Sequence, residues 1–181
     1  KFIMSFVDRY DFVLNKSIAY SDKPIHLMYN QTISAPHMHA KAIEYMRPVL
    51  KPGKSILDIG SGSGYLTSCF AIAVQVYNKN KKKRGSVVGL EYFKDLAEYS
   101  RKIIKKHYKE LYKYGKFHFQ ILTRDGKKGL SDRKFDGIHI GAECTEIPPK
   151  LYEQLKNNGI MVLPLKENNE THFTIIHKIN D

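Results

Sequence analysis

The stretch SILDIGSGSGYL, residues 55–66, decides the fold predicted for this chain. A short apolar strand, Ser55–Ile59, leads into Gly60, Gly62 and Gly64, whose spacing allows a tight turn and a close approach of backbone to ligand. A helix is predicted to follow directly. A strand, a glycine-rich turn and a helix in this order are typical of a nucleotide-cofactor site, although a glycine triplet alone would be weak support.

After residue 55, short apolar strands alternate with amphipathic helices, the pattern of a mostly parallel sheet. We therefore predict an α/β protein with a Rossmann-like fold, in which helices cover both faces of a mostly parallel central sheet. The clearest helix is predicted over Phe93–Tyr114, with Gly115 as its stop. The predicted strands are Ser55–Ile59, Ser86–Glu91, Lys116–Leu122, Phe135–Ile140, Ile160–Leu165 and His172–Ile179.

Three acids narrow the choice of cofactor. Asp58 ends the first core strand beside the turn, where its carboxylate would repel the pyrophosphate of a dinucleotide. S-adenosylmethionine carries an ammonium and a sulfonium instead, so Asp58 favours it over NAD. Glu91 ends the next strand and is predicted to accept hydrogen bonds from ribose hydroxyls. Asp125, with Gly126, either meets the adenine amino group or simply forms an Asp-Gly turn.

The segment before this core contains QTISAPHMH, residues 31–39. A helix is predicted over Ala35–Leu50 with Pro36 in its first turn, so that QTIS forms the loop that enters the helix. The hydroxyl of Ser34 then has two interpretations. It caps the helix, or it binds an anion together with neighbouring backbone N–H groups.

The two histidines of this segment do not predict a metal site. His37 and His39 lie two residues apart, and side chains at that spacing on a helix point to nearly opposite sides. His39 is instead predicted to pack or hydrogen-bond near the cofactor loop. A hydrolase that uses Ser34 is disfavoured because the sequence has no G-x-S-x-G elbow.

The composition fits one globular domain over residues 1–181, with 42% hydrophobic residues. We expect residues 1–54 to form a substrate and cofactor-loop segment and residues 55–181 to form the Rossmann-like core. The net charge of +12 would suit a nucleic-acid partner. However, much of the excess lies in Tyr77–Arg84, predicted to be a surface insertion, and on the polar side of a helix around residues 102–113. We therefore expect no nucleic-acid partner.

The remaining bulk features concern compartment and assembly. Cys69 and Cys144 provide neither a disulfide framework nor a C-x-x-C spacing, which suits a reducing compartment. No apolar run reaches the roughly 20 residues that span a bilayer, and no signal-peptide pattern is present. We expect a cytoplasmic protein without a membrane partner. We expect a monomer because no exposed apolar helix stands out.

Five segments occur in a recognisable order: QTISAPHMHA (31–40), LDIGSGSGYLT (57–67), VVGLE (87–91), DGIHIGAE (136–143) and the pair Leu163-Pro164. Together they resemble the motifs of the protein-L-isoaspartate (D-aspartate) O-methyltransferase family, and the resemblance covers most of the chain. It implies an S-adenosylmethionine-dependent methyltransferase that repairs damaged proteins and releases S-adenosylhomocysteine. The methyl acceptor would be the free α-carboxylate of an L-isoaspartyl residue, with D-aspartyl residues left open. The methyl ester would then close spontaneously to a succinimide, whose hydrolysis returns some aspartate.

The resemblance also implies site residues. It places the active-site serine at Ser34, and it places cofactor contacts at Gln31, Thr32, Ile33, Ser34, His39, Asp58, Gly60, Ser61, Gly62, Ser63, Glu91, Asp125 and Gly126. The sequence departs from the family at Arg124, where Gly is common, and in the long Tyr77–Arg84 insertion. Family members usually continue past the last strand with a segment that carries a Val-Pro-Leu-like motif, and we expect residues 55–181 to lack it.

Methyl transfer to a carboxylate needs positioning groups and no general base, because the acceptor is already ionised at neutral pH. Ser34 and nearby backbone N–H groups are the candidates for holding it. A nucleic-acid methyltransferase is the nearest alternative, but IGAECTEIPP (140–149) stands where an Asn-Pro-Pro-Tyr type segment would be expected. A noncatalytic cofactor-binding protein and an NAD-dependent oxidoreductase are further alternatives.

Overall fold

The computed structural model describes residues 2–179, which form a mixed sheet with helices on both sides. The strands and α-helices of residues 2–179, in chain order, are β1 (Ile25–His26), β2 (Thr32–Ile33), α1 (Pro36–Tyr45), β3 (Ser55–Ile59), α2 (Tyr65–Ala73), β4 (Ser86–Glu91), α3 (Lys94–His107), β5 (Phe119–Thr123), β6 (Phe135–Ile140), α4 (Pro149–Glu153), β7 (Leu155–Glu167) and β8 (Glu170–His177). The same residues include six 3-10 turns, at Ile3–Phe6, Arg9–Phe12, Lys16–Ile18, Lys81–Lys83, Lys109–Tyr112 and Gly126–Lys128.

The six-stranded sheet has the order β5-β4-β3-β6-β7-β8. The first five strands are parallel, and β8 is antiparallel to β7. The strand order reverses between β3 and β6: the strands that follow β3 in the chain lie on one side of this boundary, and those that follow β6 lie on the other. In open α/β sheets, ligands bind in the crevice outside the carboxyl ends of strands at such a switch point. The predicted Rossmann-like α/β class is confirmed, and the crevice lies where the glycine-rich turn follows β3.

Both faces of the sheet are buried, which explains why its central strands are apolar without alternation. All six residues of β6 and the last four of β3 are buried. One face packs against the N-terminal segment, α1, α2 and α3. The other packs against α4 and the segment that precedes β6. No helix within residues 2–179 is both long and apolar enough to cross a membrane.

Three predicted strands match the structure from end to end, and the other elements differ mainly at their limits. The sixth strand was predicted at His172–Ile179, and β8 covers Glu170–His177. The strand predicted to begin at Lys116 begins at Phe119, because a turn closed by Gly115 occupies the preceding residues. The fifth predicted strand, Ile160–Leu165, is longer than expected at both ends. β7 begins at Leu155, which pairs with Phe135 of β6, and it continues to Glu167, which pairs with Glu170 of β8.

Two predicted helix ends are wrong, the first for a tertiary reason and the second for a local one. The helix predicted to reach Tyr114 ends at His107, because Tyr108 leaves helical geometry. Its ring stacks on Phe12 at 5.5 Å, and its hydroxyl donates to Asp11 Oδ2 at 2.8 Å. Helix α1 ends at Tyr45 rather than at residue 50, ahead of the residue before Pro48, where helical geometry is disfavoured.

The Tyr77–Arg84 insertion lies on the surface, as predicted, and Lys79 and Lys81–Lys83 are exposed. The guanidinium of Arg84 stacks on the Tyr114 ring at 3.2 Å and donates to the Asn78 carbonyl at 2.7 Å. The basic face of α3 is likewise solvated. The positive charge therefore lies mainly in water-exposed side chains.

Candidate functional site

The glycine-rich turn is fixed to the strand beside it. The N–H groups of Gly60 and Ser61 both donate to the Leu90 carbonyl, at 2.9 and 3.0 Å. Gly60, Gly62 and Gly64 all have positive φ, at 73°, 56° and 85°. This backbone conformation is one that residues with a Cβ rarely adopt, so the glycines shape the turn itself.

The space around these glycines separates ligand-facing positions from packed ones. A Cβ added at Gly62 would meet no atom closer than Leu27 Cδ1 at 3.9 Å, and one at Gly60 would also find its nearest neighbours at 3.9 Å. A Cβ at Gly64 would lie 2.2 Å from Ser100 Oγ. Gly64 is therefore required by packing against α3. A Cβ at Gly60 or Gly62 would make only ordinary van der Waals contact, and these two glycines form the less crowded side of the turn, called the cradle below.

Glu91 braces this cradle from the end of β4. Its Oε2 accepts the Gly62 N–H at 2.8 Å, and its Oε1 accepts the Phe93 N–H at 2.9 Å. Glu91 is buried, at 5% exposure. Each carboxylate oxygen has a second acceptor site, so these bonds leave capacity for the ribose hydroxyls predicted from the sequence. Ser61 Oγ and Ser63 are buried in the same turn, and Ser61 Oγ has no partner among the described residues.

Asp58 lies beneath the turn and is 1% exposed. Its Oδ2 accepts a hydrogen bond from the Thr67 hydroxyl on α2. Its Oδ1 pairs with Nδ1 of His139 at 2.8 Å, across the β3–β6 boundary. The structure thus places the carboxylate beside the cradle, as its position in the sequence suggested. Both carboxylate oxygens of Asp58 are engaged by these two hydrogen bonds, and a direct contact between Asp58 and the cofactor stays a prediction.

The QTIS loop is delivered by a hairpin that the sequence did not reveal. Strands β1 and β2 pair antiparallel, and Tyr29 and Asn30 form the tip with φ near 58° and 55°. The Tyr29 ring stacks on Phe93 with centroids 4.7 Å apart, and its hydroxyl donates to Asp95. The tip is therefore fastened to the start of α3. Gln31 and Thr32 follow it on the exposed side, while Ile33 is buried.

Ser34 does not cap α1, so that interpretation is wrong. The N-cap is Ala35, whose side chain cannot cap the helix, and the His37 N–H in the first turn donates to Asp22 Oδ1 at 3.1 Å instead. Ser34 instead lines a small cavity of about 70 Å³, shared with Met38, His39, His139, Gly141, Pro164 and Phe173. A water needs only about 10–15 Å³ of such space, so the cavity can hold a group of carboxylate size.

His39 is buried, and its Nδ1 faces a guanidinium. Arg9 NH1 lies 3.3 Å from Nδ1 of His39, and the Arg9 Nε donates to the Ala19 carbonyl. Burial first, and then the charge of Arg9 and the nearness of His139, lower the pKa of His39 to about 3. The imidazole is therefore neutral. Burial also lowers the pKa of Arg9.

Asp125 and Gly126 are placed differently from the other predicted contacts. Asp125 is exposed, and its Oδ1 accepts the Lys127 N–H at 3.0 Å, which is the Asp-Gly turn left open by the sequence. A Cβ at Gly126 would lie 2.3 Å from Ile59 Cγ2. Gly126 is thus required by packing at the end of β3, and an adenine contact by Asp125 stays a prediction.

Sequence reasoning missed three residues that organise the site: Arg9, Tyr29 and His139. His139 had a detectable signal, since FDGIHI is a buried strand with a titratable side chain in its interior. Arg9 had none, because its role depends on contacts with residues 10 and 30 positions away. Tyr29 acts through residues 64 and more positions away, on α3.

The residues present fit S-adenosylmethionine. The cradle at Gly60 and Gly62 is the less crowded side of the turn, and the carboxylates of Asp58 and Glu91 border it. Two carboxylates suit a ligand that carries an ammonium and a sulfonium and no phosphate.

Comparisons with known proteins identify the family to which the chain belongs. The family described as protein-L-isoaspartate(D-aspartate) O-methyltransferase (PCMT) matches residues 2–181. A Caenorhabditis elegans protein-L-isoaspartate O-methyltransferase is 39% identical over 179 residues, 98% of this chain and 75% of that protein. Arabidopsis thaliana protein-L-isoaspartate O-methyltransferase 2 is 42% identical over 164 residues, 90% of this chain and 50% of that protein. The chain thus spans three quarters of one relative and half of the other.

A solved structure supports the same family. A Plasmodium falciparum protein, described as a protein-L-isoaspartate O-methyltransferase beta-aspartate methyltransferase in complex with S-adenosyl-L-homocysteine, superposes with a TM-score of 0.89. It is 38% identical, and the match covers 98% of this chain and 81% of that one. On the family match and these relatives together, the chain belongs to the protein-L-isoaspartate(D-aspartate) O-methyltransferase family.

Proposed function

We propose that this protein transfers a methyl group from S-adenosylmethionine to the free α-carboxylate of L-isoaspartyl residues in damaged proteins. D-aspartyl residues, which the family description also names, are a second candidate acceptor. The observation that carries the proposal is the cavity that joins Ser34 to the end of β6, beside the glycine cradle. Family membership supplies the acceptor class.

The cavity supplies neutral hydrogen-bonding groups, which suits this reaction. The acceptor carboxylate is ionised at neutral pH and needs no general base. Its charge is lost as the ester forms, so a fixed cation would stabilise the reactant more than the transition state. Ser34 is polar and uncharged, and His39 is neutral at physiological pH. These two residues can therefore bind the carboxylate without stabilising the reactant more than the transition state.

The residues that would hold the cofactor are those of the cradle, Gly60–Ser63, with Glu91 and Asp58 as the acidic partners. When bound, S-adenosylmethionine supplies an electrophilic methyl on a sulfonium. A carboxylate oxygen then forms the new bond to carbon as the carbon–sulfur bond breaks, and S-adenosylhomocysteine is the coproduct. Contacts by Gln31, Thr32 and Ile33 are part of this proposal.

The hairpin tip and its loop would also exclude water. Leu27 lies over Gly62, and Tyr29 fastens the tip to Phe93. A covered site strengthens electrostatic positioning and favours alignment of the carboxylate with the methyl group. The Ser34 loop is therefore expected to be more ordered than an ordinary surface loop.

The test is transfer of labelled methyl from S-adenosylmethionine to matched peptides with L-isoaspartate or L-aspartate at one position. We expect base-labile label on the isoaspartyl peptide and a fall of about 10- to 100-fold in kcat/KM for Ser34→Ala, as for loss of a hydrogen bond to a charged group. Ser17→Ala, on an exposed N-terminal turn, is the matched control. Binding of S-adenosylhomocysteine without transfer to either peptide would favour a noncatalytic binding protein.

We further propose a cytoplasmic monomer that forms one domain, with residues 1–54 packed on the core of residues 55–181. Support comes from Cys69 and Cys144, which are both free thiols and suit a reducing compartment. The N-terminal segment also shares one hydrophobic cluster with β3, α2 and α3. Light scattering and a single calorimetric transition would test the assembly and the domain. Imaging of the tagged protein would test the compartment.

A further inference from the structure

The cavity beside Ser34 contains two histidines whose hydrogen-bonding roles are opposite. His39 and His139 both line it, and both rings are fixed through Nδ1. A neutral imidazole carries one N–H, so the partner at Nδ1 decides what Nε2 can do. Neither Nε2 is among the fully buried unpaired atoms of residues 2–179, so each remains accessible.

The partners of the two rings assign the roles. Arg9 can only donate, and its NH1 lies 3.3 Å from Nδ1 of His39. Nδ1 of His39 is therefore the acceptor, and its Nε2 carries the hydrogen. A carboxylate can only accept, and Oδ1 of Asp58 lies 2.8 Å from Nδ1 of His139. Nδ1 of His139 is therefore the donor, and in the neutral ring Nε2 keeps a free lone pair.

We propose that His139 is a specificity-determining residue, whose Nε2 accepts the peptide N–H on the carbon that bears the isoaspartyl carboxylate. His39 Nε2–H and the Ser34 hydroxyl donate to the carboxylate itself. This inference rests on the proposed function and extends it to the way the acceptor is recognised.

The chemistry of the acceptor explains why such a pair would discriminate. In an isoaspartyl residue, the free carboxylate and the peptide N–H are attached to the same carbon. In an ordinary aspartate, the free carboxylate is one methylene further from that N–H. A cavity with a donor and an acceptor at fixed positions can satisfy both groups of the first, but leaves the acceptor unpaired with the second. Sites built to bond a polar group reject ligands that lack it in the required place.

The rigidity of His139 supports this role. Its ring contacts Phe70 at 5.8 Å and Phe173 at 6.4 Å, both at steep angles, and its side chain is 10% exposed. Asp58, itself buried, fixes the ring plane through Nδ1. A ring held on three sides has little freedom to turn Nε2 away from the cavity.

The experiment combines two variants with a change in the substrate. In His139→Asn, the side-chain amide can still donate to Asp58, but the Nε2 position is empty. In His139→Gln, the amide reaches the Nε2 position instead. The substrates are an isoaspartyl peptide and its depsipeptide, in which oxygen replaces the N–H of the isoaspartyl residue. Methyl transfer to the unmodified peptide by the wild type tests the proposed function separately.

For the wild type, we expect the depsipeptide to lower kcat/KM by about 10- to 100-fold, mainly through KM, as for a buried acceptor left unpaired. We expect His139→Asn to lower kcat/KM for the unmodified peptide by a similar factor. For this variant, kcat/KM for the depsipeptide should be no more than about 2-fold lower than for the unmodified peptide. His139→Gln should recover part of the loss. In His139→Asn, affinity for S-adenosylhomocysteine and the melting temperature should stay close to wild type, because the bond to Asp58 is kept. His139→Gln gives up that bond and should melt at a lower temperature. An equal depsipeptide penalty in the wild type and in His139→Asn would overturn the proposal, even with normal transfer to the unmodified peptide.

Discussion

Nδ1 of His139 donates to Oδ1 of Asp58 at 2.8 Å, between residues that lie directly opposite each other on neighbouring parallel strands. Both side chains are buried, and they lie where the strand order reverses. The first acid of the glycine-rich motif is therefore joined to the cavity that contains Ser34. This contact connects the turn proposed to bind the cofactor with the cavity proposed to bind the acceptor.

Asp58→Asn should weaken both halves. The charge beside the cradle is lost, and the amide cannot accept from Thr67 and His139 as two carboxylate oxygens do. We expect kcat/KM to fall by about 10- to 100-fold and the free energy of unfolding to fall by about 1–3 kcal/mol. Peptide kinetics and thermal melting would measure these effects. Asp132→Asn, at an exposed acid, should change neither.

Gly62→Ala and Gly64→Ala should separate binding from folding. Both positions have positive φ, which costs about 1–3 kcal/mol for a residue with a Cβ. The Gly62 methyl would make only ordinary van der Waals contact with the protein, 3.9 Å from Leu27 Cδ1, on the proposed cofactor side. We therefore expect at least a 10-fold loss of affinity for S-adenosylhomocysteine, about 1.4 kcal/mol, with modest loss of stability.

The Gly64 methyl would instead meet Ser100 and Ile104, which are fully buried, and should cost about 1–3 kcal/mol more. Calorimetry of binding and unfolding checks both variants. Equal effects on affinity and stability in the two variants would contradict the division of the glycines into less crowded and packed positions.

The hairpin tip should control order in the Ser34 loop. Tyr29→Ala removes the stacking on Phe93, worth about 0.5–1.5 kcal/mol. We expect faster hydrogen exchange at the Leu27 and Gln31 amides, which the tip protects, and a several-fold higher KM for peptide. Tyr29→Phe keeps the stacking and should change KM by less than about 2-fold, since the Asp95 bond is exposed. Phe117→Ala, another exposed aromatic, serves as the control.

Asp136 predicts how stability depends on pH. Burial alone would raise the pKa of Asp136, but hydrogen bonds from Lys156, Ser55 and Lys54 outweigh burial and hold it well below its ordinary value. The ionised form therefore stabilises the fold. That contribution is complete above the unfolded pKa, about 4, and is lost as the pH falls below it.

Asp136→Asn should lower the free energy of unfolding at pH 7 by about 1–3 kcal/mol and flatten its fall below pH 4. Urea unfolding between pH 2 and pH 7 measures both. A variant as acid-sensitive as the wild type would contradict the role of Asp136.

The strand pattern and the cofactor loop could be read from the sequence because their signals are local. Ser55–Ile59, Ser86–Glu91 and Phe135–Ile140 are buried on both faces, so each is an apolar run bounded by turn residues. The glycine spacing is likewise set by backbone geometry within a few residues. The class of fold and the place of the site followed directly.

Helix ends and hydrogen-bond partners could not be read in this way. The helix after β4 ends at His107 because Tyr108 stacks on Phe12 and hydrogen-bonds to Asp11, which lie nearly 100 residues away in the chain. Ser34 was equally compatible with a helix cap, and only its position in the folded chain assigned it to a cavity.

The sequence by itself determined the α/β class, the cofactor turn and the family, since these depend on periodicity, backbone conformation and motif order. The tertiary structure alone decided which of the three turn glycines leave room for a ligand and which ring nitrogens are free. The physical reason is that free space and proton position depend on what lies opposite a residue. Asp58 and His139 are 81 positions apart in the chain and meet only when β3 and β6 pair.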